Sequence, residues 1–182
     1  MDTNEILRDQ LSRLLERSDA HTDFDVAIAD IEPGVRGTRP AGLPHSAWEL
    51  LEHIRLAQRD LLEFCQAAPY VARTWPDDYW PPTPEPPSSE AWDESVEAVR
   101  RDRAEFQQLI ADPNIDLFGT VPHGTKQTYL REVLMAADHS AYHVGELIVV
   151  RRLLWDCATR GYNQEAVCRG NRVIAAGCDS KT

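Results

Sequence analysis

Residues 76–87, PDDYWPPTPEPP, hold six of the chain's 12 prolines and restrict the fold more than any other stretch. Proline removes a backbone donor and breaks helix interiors and central strands, so no regular element crosses this segment. On both sides the apolar residues recur at helical spacing, and strand-type alternation with hairpin turns is missing. Each flank is too short for a core of its own. The proline segment is therefore a long connection inside one domain rather than a linker between two. The length, 182 residues, is that of a single domain. A chain of that size buries enough surface to fold without disulfides or metal staples.

Four helical units are expected. Residues 3–17 carry Ile6, Leu7, Leu11, Leu14 and Leu15 at helical spacing. Ser18 and Asp19 interrupt them, and 20–31 continue with Phe24, Ala27, Ile28 and Ile31, Thr22 and Asp25 being placed to cap the first turn. The two stretches are compatible with one broken helix. Ser46 and Glu49 form a capping box that opens a helix to about Ala67, striped by Leu50, Ile54, Ala57, Leu61 and Phe64. Ser88 and Ser89 open another that runs to about Ala111, with Glu90, Asp93 and Glu94 in the first turn, where the dipole favours anions. The longest unit spans about 127–155. The expected architecture is an all-α four-helix bundle with long crossover connections over residues 1–156, followed by a loosely ordered C-terminal tail, 157–182.

Thirty acidic residues against 19 Lys and Arg give a net charge of −11. That balance argues against a nucleic-acid protein and against docking on anionic lipid, both of which need cationic surfaces. No run of 18 apolar residues spans a membrane, and the charged N-terminus has no signal core, so a cytoplasmic protein is expected. Cys65, Cys157, Cys168 and Cys178 show no CxxC spacing and are read as reduced filler of core or tail.

The chemistry concentrates in histidine. His139 and His143 read HSAYH, and a spacing of four stacks both imidazoles on one face of the last helix. Ala136, Leu147, Val150 and Leu154 share that face, so the pair points into the bundle. His53 does the same on its own helix, among Leu50, Ile54 and Ala57. Each buried imidazole needs partners for two nitrogens. A divalent metal supplies one and a nearby carboxylate or carbonyl the other. Three nitrogens with open positions describe a catalytic rather than a closed structural site, and imidazole suits Zn, Ni, Fe or Cu. The plain alternative is three separately satisfied histidines that brace the core.

Glu146, one turn after His143, is placed to ligate, to take a proton from a metal-bound water, or to orient a ligand; a rim carboxylate is the plain alternative. Asp138 and Glu52 neighbour ligands in sequence but point off their faces, and Asp60 is expected at the cavity mouth. His45 is expected to pack or cap beside the capping box, His123 to face solvent from a loop, and His21 to be structural or exposed. Trp48, Trp92 and Trp155 are expected in core or interface. Trp75 and Trp80 flank the proline segment as an apolar lid or as passive packing.

LLEHIRLAQRDLLEF followed by ADHSAYHVGELIVVRRLL resembles the DinB-like (DinB/YfiT) superfamily of metal-binding four-helix bundles, over about residues 3–155. The resemblance implies one divalent metal, nickel or zinc first and iron next, on His53, His139 and His143. It also implies an unusual helix order with long crossings. Where members often read HxGQ, this chain reads HVGE, with Glu146 in place of the glutamine. Some relatives transfer low-molecular-weight thiols to electrophiles, or isomerise with a thiol cofactor, and dimers are common among them.

The leading expectation is thus a metal-dependent thiol transferase or hydrolase acting on a small molecule, with a thiol as possible co-substrate and Glu146 as its base. The rival is a non-catalytic helical protein, a dimeric stress-response or binding module in which metal is structural or absent. Metal storage or sensing is a third reading.

Overall fold

The computed structural model describes residues 2–16 and 20–159, the last four as backbone only. The expected tail beyond Thr159 and the break at Ser18–Asp19 lie outside the described residues. Four long helices and one short one make up the regular structure: α1 (Thr3–Glu16), α2 (Phe24–Ile28), α3 (Ala47–Cys65), α4 (Ser89–Ala111) and α5 (Tyr129–Thr159). Among the described residues there is no strand, only an isolated antiparallel bridge between Thr120 and Thr128. The fold is the expected all-α one. No helix among them is long and apolar enough to cross a membrane.

Local chemistry explains most of the helix boundaries. The Ser46 hydroxyl accepts from the Glu49 amide while the Glu49 carboxylate accepts from the Ser46 amide, so the predicted capping box is formed in full. The Ser46 hydroxyl also donates to the Pro84 carbonyl, which ties the proline segment to the start of α3. The side chain of Ser88 caps α4 as expected. At α2 the expectation is corrected: Asp23, not Thr22, takes the free amide, that of Val26. α5 begins at Tyr129 because Gln127 and Thr128 are engaged by the preceding loop, and it continues to Thr159.

Two apolar clusters make the core. One joins Leu50, Leu51 and Ile54 of α3, Trp92, Val96 and Val99 of α4, and Val144, Leu147 and Val150 of α5, with α2 packed on it. The other joins Leu62 and Cys65 of α3, Phe106 and Ile110 of α4, Val133 and Ala136 of α5, and Leu11 of α1. The first halves of α3 and α4 share one end and their second halves the other, so these neighbours run parallel and α5 runs against both. A parallel pair needs a return of roughly 28 Å, the length of a 19-residue helix. Residues 66–88 supply that crossing. The connection 112–128 does not cross; it stays at one end and contributes Leu117 and Val121 to the second cluster.

α3 is the central helix, packed against both α4 and α5. Every residue from Ala47 to Ile54 is buried, so the apolar stripe legible in the sequence understates it. Its buried carboxylates and amide are partnered, whereas the Trp48 indole nitrogen finds no partner among the described residues. Glu52 accepts from Arg55 and from the Ser95 hydroxyl, and Gln58 donates to the Val99 carbonyl. On α5 the two apolar clusters are separated by the turns carrying His139 and His143.

Candidate metal centre

His53 is carried by α3 and is 2% exposed; His143 on α5 is 8% exposed, and His139, one turn earlier, is half-buried. Antiparallel packing of α5 on α3 brings the three rings together, with centroids 4.5–4.8 Å apart. One ligand atom from each lies within 4.8 Å of the others. The closest pair, Nε2 of His139 and Nε2 of His53, is 3.1 Å apart.

The outer nitrogens fix the tautomers. Nδ1 of His53 donates to the Tyr79 carbonyl at 2.8 Å. Nδ1 of His143 donates to the Glu146 carboxylate at 2.6 Å. A neutral ring that donates through Nδ1 has its lone pair on Nε2. Two lone pairs are therefore left for the same space as His139, whose Nε2–H can donate to one of them and whose own Nε2 lone pair would complete a set of three around a cation. Imidazole nitrogens sit about 2.0–2.1 Å from zinc, hence roughly 3.4 Å from one another in a tetrahedral set, so the widest pair must close by up to about 1.4 Å to share one ion. The donor set fits a divalent first-row metal.

Burial keeps all three rings neutral. It is the first cause pushing His139 and His143 down to about 4, the neighbouring imidazoles being the next, and it lowers His53 too. In the unfolded chain imidazoles take protons near 6.5. Between about 6.5 and 4 the unfolded chain therefore binds more protons than the folded one, and stability falls as pH falls through that window. Thermal melts of metal-free protein are expected to show the midpoint dropping from pH 7 to pH 4.5, and less steeply for His139→Ala. Equal slopes would mean that these rings do not resist protonation.

The residues around the ligands divide clearly. Glu146 orients His143, one of the three roles its position left open. Asp138 is exposed, and Glu52 faces Arg55 and Ser95, both off the centre as expected. Asp60 is corrected: it is 8% exposed and, rather than rimming a cavity, accepts from the hydroxyls of Tyr70 and Tyr79. His45 packs face to face on Trp80, centroids 4.1 Å apart, and Trp80 in turn lies flat on His53 at 3.9 Å and 1°. Trp80 thus covers a ligand, whereas Trp75 stays 68% exposed. His123 is half-buried, donates to the Ala68 carbonyl and packs by Tyr70, not solvent-facing as expected; His21 is exposed. Trp48 and Trp92 are core, but Trp155 is 56% exposed. Cys65 is buried, and its thiol is pushed up to about 12, which makes it no nucleophile at neutral pH. The side chains of Cys157, Cys168 and Cys178 lie outside the described residues.

Sequence reasoning offered Trp80 as a lid but missed the part played by Tyr79 as a direct partner of His53. The only signal was its place in a proline-rich crossing.

A family model described as the DinB superfamily matches residues 8–147, which include all three histidines. The chain belongs to the DinB superfamily. No curated protein and no solved structure gives a significant match. Membership accords with the helical fold of this DinB chain and with its grouping of one histidine of α3 and two of α5, a set compatible with metal binding.

Beside the centre lies a cavity of about 330 Å³ between the Leu43–His45 loop and the Tyr142–Val150 stretch of α5. Its lining is mainly apolar, with Glu146 and His45 as polar groups. Its walls touch the centre: Glu146 holds His143, Tyr142 packs edge-on against His143 at 4.8 Å, and His45 stacks on Trp80.

Proposed function

We propose that this DinB protein is a metal-dependent enzyme that transfers a low-molecular-weight thiol to a small apolar electrophile, with hydrolysis of a small molecule as the neighbouring possibility within the same chemistry. The supporting observation is the cavity lined by Glu146, whose carboxylate accepts from His143: a reactant in it lies one side chain away from the histidine cluster. His53, His139 and His143 would hold one divalent ion, nickel or zinc first and iron next. Such an ion, when bound, supplies Lewis acidity that lowers the pKa of a thiol or water.

The chain's own residues do the rest. The Tyr79 carbonyl and Glu146 hold the rings of His53 and His143 in their tautomers. Leu43, Leu50, Val149 and Val150 exclude water from the reactant. Glu146, 35% exposed, also reaches the cavity, where it takes the proton that a thiol or water loses. Cys65 is buried with its thiol held protonated, so this cysteine does not supply the thiolate. The reading places the protein in the cytoplasm, where such thiols are kept reduced.

Metal-loaded protein is to be incubated with a small thiol and 1-chloro-2,4-dinitrobenzene. The thiolate sulfur bonds to the ring carbon, chloride leaves, and the thiol proton goes to Glu146 and on to solvent. Thioether formation is expected to rise in proportion to metal loading. Rates equal to the protein-free control across several thiols and electrophiles, with hydrolysable esters and amides equally inert, would overturn the enzyme reading.

A specific observation favours the rival. Met135, Tyr142 and Val149 recur every seven residues on α5, and with Leu153 they leave an exposed apolar stripe. A second copy packed there would give a dimer. Light scattering decides: a mass of twice 20.6 kDa, lost on Met135→Lys, supports it.

A further inference from the structure

We propose that Asp60 is a positioning residue for the metal centre, acting through Tyr79 on His53. The inference rests on the metal reading above and concerns how this chain sets the ligand ring.

Asp60 lies on α3 seven residues after His53, two turns along nearly the same face. Its carboxylate is buried and is the meeting point of the crossing segment. Oδ2 accepts from the Tyr79 hydroxyl at 2.6 Å, Oδ1 from the Tyr70 hydroxyl at 3.0 Å, and Arg73 Nε lies 3.7 Å away. Short hydroxyl-to-carboxylate bonds are among the stronger ones available to a protein. Tyr79 is therefore held at both ends. Its side chain is fixed to Asp60, and its backbone carbonyl takes the Nδ1 proton of His53 at 2.8 Å. The next residue, Trp80, lays its indole flat on the same imidazole.

This is a closed loop of contacts: α3 to Asp60, to the Tyr79 ring, to the Tyr79 carbonyl, to His53, and back to α3. The crossing segment contributes no ligand atom, yet it sets which nitrogen of His53 carries the lone pair and the plane in which it points. A backbone carbonyl cannot be removed by mutation, but its position is determined by side chains that can be. Partners of this kind are worth about 10–100-fold in metal affinity.

Cobalt(II) serves as the probe, because its d–d absorption reports ligand geometry as well as occupancy. Binding and spectrum are to be measured for the wild type, Asp60→Asn, Tyr79→Phe and Tyr70→Phe, with thermal melts of the metal-free proteins alongside. Tyr79→Phe removes one hydroxyl and keeps the ring and the carbonyl, so it serves even if Asp60→Asn folds poorly. Asp60→Asn and Tyr79→Phe are expected to weaken cobalt binding about tenfold and to shift the d–d bands, and Tyr70→Phe to change both less. If the melting midpoints fall while affinity and bands match the wild type, Asp60 only anchors the segment and the proposal fails. If the wild type takes up no cobalt, zinc or nickel, the metal reading fails and this proposal with it. Wild-type binding with unchanged variants overturns the positioning role alone.

Discussion

Alanine at any one of His53, His139 or His143 is expected to leave a folded helical protein that has lost its metal. Elemental analysis of untagged wild type is expected to give close to one divalent ion per chain, and each variant a small fraction of that. Structural zinc sites with four ligands release about 10–16 kcal/mol on binding, so one ligand carries about 2.5–4 kcal/mol of the total, and each 1.4 kcal/mol is tenfold in affinity. Losing one nitrogen of three should therefore weaken binding by two orders of magnitude or more. The fold should survive, because the two apolar clusters above and below the histidines include none of them. Stoichiometric metal in the triple alanine variant would defeat the assignment.

Gly145→Leu is expected to abolish turnover at least a hundredfold while metal content stays at the wild-type level. Gly145 lies in the interior of α5 and lines the cavity beside Glu146. Glycine there costs about 1 kcal/mol of helix stability relative to alanine. Nothing among the described residues requires it, since a Cβ built at this position meets no atom within 4 Å. The open space above it is the cavity floor, and a leucine side chain would stand in that space. Gly145→Ala supplies the matched control: it should raise the melting midpoint by about 2–4 °C and leave most of the cavity open. If Gly145→Leu keeps full thiol transfer, the reactant binds elsewhere.

The sequence made the helical class and the inward-facing histidine pair of α5 readable, and the reasons are local. Ser46 and Glu49 satisfy each other across one turn, and the spacing of His139 and His143 is a property of any α-helix. The bonds made by His53 and Asp60 were not readable. Tyr79 stands 26 residues after His53 and 19 after Asp60, and no periodicity links a crossing segment to the helix beneath it. The same holds for His45 and Trp80, which meet only because Ser46 anchors Pro84. His123 read as a solvent-facing loop residue because the carbonyl it bonds, that of Ala68, lies 55 residues away. The burial of Glu49, Glu52 and Asp60 was not readable either. Their partners, Arg39, Ser95 and the two tyrosines, come from three other segments.

His53 and His139 are separated by 86 residues of chain. Ribosomes add about 5–20 residues per second, so the first ligand is made about 4–17 s before the second. Throughout that interval the nascent chain offers an ion one imidazole from the cluster and nothing to hold it there. α5, which carries the other two, is the last helix among the described residues to emerge. On the proposed metal reading, a complete site exists only once α5 has been made. The bundle has to find its parallel pairing of α3 and α4 without an ion as template, and a cell short of metal should accumulate the folded apoprotein rather than a misfolded chain.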